Sequence, residues 1–188
     1  MKILQVNNHY NLIGGSEVVF HETSKLLRSN GHSVYQFASS LDNENIRIDN
    51  GLLIKKPLFN RRKNPFDIIR TVSEFIYSKS VKKIFEDYIK EIKPDIIHLH
   101  IFYGIITNSI LPVIKKYNIP CVMTLHEYRM ICPAYLLING KGNNCEKCAG
   151  KNFIYSILYK CTKNSYLYSI IPALESWFKN IFTPYDKH

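Results

Sequence analysis

Four cysteines, Cys132, Cys145, Cys148 and Cys161, are arranged symmetrically about a C-x-x-C, with twelve residues separating it from the outer cysteine on either side. Thiolates grouped in this way match a structural Cys₄ zinc site, in which a knuckle and two distant ligands satisfy a tetrahedral ion. The stretch "NGKGNNCEKCAGK" supplies Gly140, Gly142 and Gly150 for the tight turns a knuckle needs. Reduced, partly buried thiols account for the same residues, and both readings stand at this level. Cys121, inside an apolar run, reads as core.

A second set of chemically able residues lies at the ends of apolar runs. His98 and His100 alternate in "IIHLH", which places both on one side of a strand, and His126 with Glu127 closes the next run. Two imidazoles at separate strand ends suit a polar cleft. Gly14 and Gly15 stand where an earlier apolar run stops and an amphipathic one begins. Glycines let backbone N–H groups approach a ligand closely, and a helix opening at Ser16-Glu17 presents its positive end to a phosphate. A tight turn with Ser16 as helix cap explains the pair as well, and Glu17 in a first turn fits capping as readily as hydroxyl binding.

These residues need a scaffold that brings strand ends together. "KILQVN" reads as a strand, "SEVVFHETSKLLRSNGH" as a helix closing at Gly31, and "SVYQFAS" as a second strand, which makes a βαβ unit. Residues 40–65 read as an irregular connection with one short strand at "GLLIKK", and residues 66–92 as one or two amphipathic helices. "KPDIIHLH" and "IPCVMTLH" are proline-started strands flanking a helix through "SILPVIKKYN", and the tail from Phe153 to Phe182 is helical in pattern. Alternating strands and helices imply an α/β fold, Rossmann-like and doubly wound, with a mostly parallel sheet and helices on both faces. In such sheets ligands sit beyond the carboxyl ends of the strands. Residues 1–188 are read as one domain carrying a Cys-rich loop at 132–161.

Composition narrows the partners. The chain has 188 residues, 46% hydrophobic and 21% charged, an ordinary folding composition that excludes wholesale disorder. Its 25 Lys and Arg against 15 Asp and Glu give +10, which favours an anionic partner. Part of the excess is local, with eleven basic against five acidic residues between Lys55 and Lys93, interleaved with Phe59, Phe66, Phe75, Ile76 and Tyr77. That segment suits an anionic membrane surface as well as a plain solvated face. No apolar run is long enough to span a bilayer, and "MKILQVNNHY" lacks a signal peptide's apolar region, so the expectation is a cytoplasmic protein, peripheral at the inner face of the cell membrane if the basic segment binds lipid. Five cysteines without an export signal argue against a disulfide framework.

Taken together, "NNHYNLIGGSEVVFHETSKLLRSNGHSVYQFA", "KPDIIHLHIFYG" and "IPCVMTLHEYRMICPAYLLINGKGNNCEKC" resemble the N-terminal, acceptor-side domain of family 4 retaining glycosyltransferases of GT-B architecture. The resemblance implies a Rossmann-like domain that faces a second one, with a nucleotide-sugar donor in the cleft between them. It places Gly14 and Gly15, with Glu17 beside them, near the donor diphosphate and His126 against the transferred sugar, as the catalytic histidine. His100, Glu127 and Tyr128 are then expected to line the substrate cleft. The family's paired glutamates eight positions apart are missing, so the C-terminal donor-binding domain is expected to be absent and the chain to stop before the last strand of its own domain.

The resemblance therefore implies the acceptor-binding part of a hexosyltransferase in polysaccharide or cell-envelope assembly, inactive alone, without a catalytic metal, acting on a glycan or lipid-linked acceptor. A non-catalytic partner of a two-chain transferase is the nearest alternative. A zinc-containing nucleic-acid binder, suggested by the sequence pI of about 9.3, is weaker because no base-reading motif is present.

Overall fold

The computed structural model describes residues 1–40, 44–55 and 64–182. Their contacts divide the chain into two compact units, residues 1–126 and 127–188, where the sequence suggests one domain. The second unit is the Cys-rich loop together with the helical tail.

The first unit is built on β1 (Lys2–His9), whose side chains from Ile3 to Asn8 are buried on both faces of the sheet. Such a strand must lie in the middle, and it does. Parallel neighbours β2 (Ser33–Ser40) and β5 (Ile96–Leu99) flank it. Beyond β2 lie β4 (Gly51–Lys55) and an antiparallel edge strand, β3 (Ile46–Ile48); beyond β5 lies β6 (Cys121–Met123). The order β3-β4-β2-β1-β5-β6 is that of a Rossmann-like half, and winding reverses between β1 and β5. The short β3 escapes the sequence reading because three residues carry too little periodicity. Cys121, expected in the core, is exposed, since β6 is the outer strand of the sheet on that side.

Helices cover both faces. α1 (Gly15–Ser29) buries Phe20 against Ala38 and Leu53. On the opposite face Phe37, the neighbour of Ala38, meets Phe85 edge-on at 5.2 Å and Tyr88 at 6.0 Å from α3 (Lys79–Ile92). α2 (Pro65–Ile76) precedes it. A 3₁₀ turn at Asn108–Ile110 leads into α4 (Leu111–Lys116). Of the basic segment from Lys55 to Lys93, Lys56, Arg61, Arg62 and Lys63 lie outside the described residues, while Lys79, Lys83, Lys90 and Lys93 are exposed.

The second unit has α5 (Ile154–Leu158) and α6 (Tyr166–Phe182), packed through Phe153, Ala173, Tyr155, Ile157 and Trp177. Among the described residues no helix is long and apolar enough to cross a membrane.

Candidate functional site

The winding reversal puts the carboxyl ends of β1 and β5 side by side, and the polar residues that follow them bond to one another. Asn7 Oδ1 accepts from the Ile101 N–H at 3.1 Å, and its Nδ2 donates to His9 O at 2.9 Å and Glu17 Oε1 at 3.1 Å. Asn8 Nδ2 donates to Tyr103 O at 2.6 Å, and Asn8 Oδ1 accepts from the Ile106 N–H at 3.3 Å. Both asparagines are buried. They tie the end of β1 to the loop after β5 and to the first turn of α1, so the crevice floor is set by hydrogen bonds. Sequence reasoning gave these asparagines no role; the available signal was two consecutive amides ending an apolar strand.

The glycine loop opens above this floor. Gly14, not Ser16, occupies the cap position of α1, with extended backbone at φ −156°. Glu17 reaches back to accept from the Gly14 N–H at 2.9 Å, and the Ser16 hydroxyl donates to the same carboxylate at 2.8 Å. Burial pushes the Glu17 carboxyl up, but Asn7, Ser16 and the Gly14 N–H together hold it below the usual carboxylate range. Only 3% exposed, Glu17 is thus the internal brace of the loop. A side-chain carbon at Gly15 would meet nothing within 4 Å, so the fold does not require glycine there. What the glycine leaves is clear space over a helix start.

The histidines gather as alternation requires. The His98 and His100 rings are 4.2 Å apart on one face, and His100 Nδ1 lies 2.9 Å from His126 Nε2. Beneath them a polar layer crosses the sheet. Gln36 Nε2 donates to Ser24 Oγ at 2.9 Å, and the Ser24 hydroxyl also bonds Gln5 Oε1; Gln5 Nε2 reaches His98 Nδ1 at 3.4 Å, and His98 Nε2 lies 2.8 Å from Thr124 Oγ1. His100 is 1% exposed, and among the described residues its Nε2 is buried without a hydrogen-bond partner. A bare ring nitrogen is cheaper to bury than an orphaned N–H. This favours the tautomer in which His100 donates from Nδ1 to His126 Nε2, leaving the His126 Nδ1–H as a donor.

Burial, with the charges of His98 and His126, pushes His100 down to about 3, and burial lowers His98 and His126 as well, although Glu17 pulls His126 back up. A histidine lowered in the folded state is neutral there while the unfolded chain takes up a proton near its ordinary value of 6.5. Stability is therefore full above that value and is lost as pH falls from it towards about 3. At pH 5 the loss from His100 alone is about 2 kcal/mol. Denaturation midpoints that stay flat between pH 7 and 5, or a His100 imidazole that charges near pH 6 by NMR, would contradict this environment.

Gly14, Gly15, Glu17, His100 and His126 are thus brought to one end of one sheet, all within residues 1–126. Glu127 and Tyr128 open the second unit. Burial raises the Glu127 carboxyl, opposed by Arg129 and reinforced by Glu175, and Tyr128 is exposed. Arg129 pairs with the buried Glu175, and Lys179 Nζ donates to Arg129 O at 2.9 Å. Burial lowers Lys179 to about 8.

Of the four cysteines, Cys132 and Cys148 are buried and Cys145 and Cys161 partly so, none in a disulfide. Burial pushes the Cys148 thiol up to about 12, and nearby Cys132, Cys161 and Cys145 push it in the same direction. Among the described residues no three Cys, His, Asp or Glu side chains already form a metal-holding group.

The sequence model of Glycosyltransferase Family 4 matches residues 13–141, which takes in the glycine loop, the three histidines and the start of the Cys-rich segment. The chain belongs to glycosyltransferase family 4. The family carries a glycosyltransferase-like function, and its Rossmann-like sheet is the one seen here. The chain is also 32% identical over 146 residues to an uncharacterized 42.6 kDa protein in the cps region of Klebsiella pneumoniae. That match covers 71% of this chain and 38% of the relative, so it spans well under half of that protein's length.

Proposed function

We propose that residues 1–188 form the acceptor-side part of a retaining sugar transferase that takes a nucleotide-activated sugar and needs no catalytic metal. Its acceptor is a glycan or a lipid-linked glycan in cell-surface polysaccharide assembly, and the transferred group is a hexosyl unit. The relative's cps-region name supports that setting. The donor diphosphate lies against the Gly15 and Ser16 backbone, and His126 donates from Nδ1 to the transferred sugar. His100 serves the acceptor side. Turnover rests on positioning and on charge stabilisation of the leaving diphosphate, which a facing donor-binding domain or chain shares. Leu12, Ile13 and Leu125, between 61% and 71% exposed beside the glycine loop and His126, are the apolar surface such a counterpart would cover. The same reading keeps the protein in the cytoplasm, peripheral at the inner face of the cell membrane. In support, the exposed Lys79, Lys83 and Lys90 recur on one side of α3.

The observation that carries this reading is the clear space at Gly15 at the same end of the sheet as the His100–His126 imidazole pair. Titrating the labelled chain with UDP- and GDP-sugars tests it. Amide shifts centred on Gly15, Ser16 and His126 are expected, lost in Gly15→Val but with an unchanged denaturation midpoint. A panel that moves none of these signals, or moves only distant ones, overturns the reading. With the chain alone, transfer rates equal to those of a complete transferase would overturn its incompleteness.

A further inference from the structure

Residues 127–182 fold with little apolar interior. Among the described residues their buried apolar side chains are Cys132, Pro133, Ala134, Cys148, Phe153, Pro172 and Ala173, of which Phe153 alone is large. The backbone is costly too. Six of the nine described non-glycine residues with positive φ fall here: Tyr135, Leu137, Lys151, Lys160, Lys163 and Asn164. Each such residue must be held by something stronger than its own preference. Small, loop-rich units of this kind are stapled by disulfides or by a metal, and none of these cysteines is in a disulfide.

The backbone routes all four thiols into one neighbourhood. Ile138 and Asn144 bridge a small hairpin, and the Cys145 N–H donates to Leu137 O at 2.8 Å, which sets Cys145 on its returning arm. The next turn, closed by the Lys151 N–H on Cys148 O at 2.9 Å, carries Cys148. At the hairpin tip a side-chain carbon on Gly140 would fall 2.0 Å from Tyr159 O and 2.7 Å from Lys160 O. Only glycine lets the tip press on the chain immediately before Cys161. Cys132 closes its own turn, with its N–H on Tyr128 O at 2.8 Å, and lies within electrostatic range of Cys148 and Cys161.

We propose that Cys132, Cys145, Cys148 and Cys161 bind one structural Zn²⁺ that staples the hairpin, the C-x-x-C turn and the end of α5 into a single unit. Four thiols of this spacing suit a closed tetrahedral site with no open position for chemistry. Since no three of these side chains already form a coordinating group, binding turns the thiols towards a common centre and displaces their protons. The inference does not depend on the sugar-transfer reading.

The test uses the full chain purified under reductant without chelator. Elemental analysis is expected to give about one zinc per chain, retained in Cys121→Ser and lost in Cys145→Ser and Cys148→Ser. Should those variants fail to fold, the wild-type chain still decides. Stripping the metal should abolish the near-ultraviolet circular dichroism of Trp177, the one tryptophan. Adding Co²⁺ should then restore it, with thiolate-to-cobalt charge transfer and tetrahedral d–d bands. Less than about a tenth of an equivalent of zinc together with no cobalt–thiolate bands overturns the site. Iron in place of zinc, or equal metal loss in Cys121→Ser, overturns it too.

Discussion

Phe20→Ala is expected to destabilise residues 1–126 by about 3–5 kcal/mol, read as a fall in denaturation midpoint at unchanged m-value. Phe20 is fully buried and packs on Ala38 and Leu53, with Tyr10 and Ile48 partly buried around it. Ladders to β1 and β4 hold β2, so the space left by the ring cannot close by strand movement. The same ring stands edge-on to His100, with centroids 5.6 Å apart at 87°. Water entering the cavity reaches the unpartnered His100 Nε2 and relieves the burial that holds this imidazole near 3. The His100 titration should therefore rise in Phe20→Ala and stay put in Phe20→Leu, which costs about 1 kcal/mol. A loss under about 1 kcal/mol for the alanine variant, with His100 titrating as before, would show that α1 does not anchor the histidine face.

The parallel strands were legible because each is a continuous apolar run punctuated by glycine or proline. "IIHLH" even gives the face its histidines share, and the two ring centroids lie 4.2 Å apart, tilted by 36°. What could not be read is how a polar layer survives beneath a helix. Gln5, Gln36 and His98 sit at paired register positions on three adjacent strands, and that adjacency exists only once the strand order is fixed. Sequence distance hides it, since Gln5 and His98 are 93 residues apart. Glu17 shows the same limit at short range. Its spacing from Gly14 suits both a cap and a ligand contact, and only the buried partners Asn7 and Ser16 show what its carboxylate does in the folded loop.

The boundary after His126 was hidden for a related reason. "TLHEYRM" shows no break in composition, and the divide follows from which later segments pack together. The cysteine spacing was visible at once, but the approach of Gly140 to Tyr159 and Lys160, which brings Cys161 to the hairpin, is tertiary.

Glu17→Ala is expected to cost on the order of 2–3 kcal/mol, because it strands the Gly14 N–H and removes the buried acceptor of Asn7 and Ser16. Glu17→Gln separates charge from shape. Its amide keeps one oxygen but turns the other acceptor into a donor, aimed at groups that themselves donate, so it recovers little of the loss. The pH dependence carries the sign. The carboxyl is lowered in the folded state, so its contribution is present above its ordinary value of 4.5 and is lost as pH falls through the folded value. The buried histidines erode stability over an overlapping range, but they are common to both proteins. The wild-type advantage over Glu17→Gln should therefore be constant from pH 7 to 5 and shrink below 4.5. An advantage that persists unchanged at pH 3, or a glutamine variant as stable as wild type at pH 7, would mean that the brace is not ionic. Glu17 would then be free to serve a ligand instead.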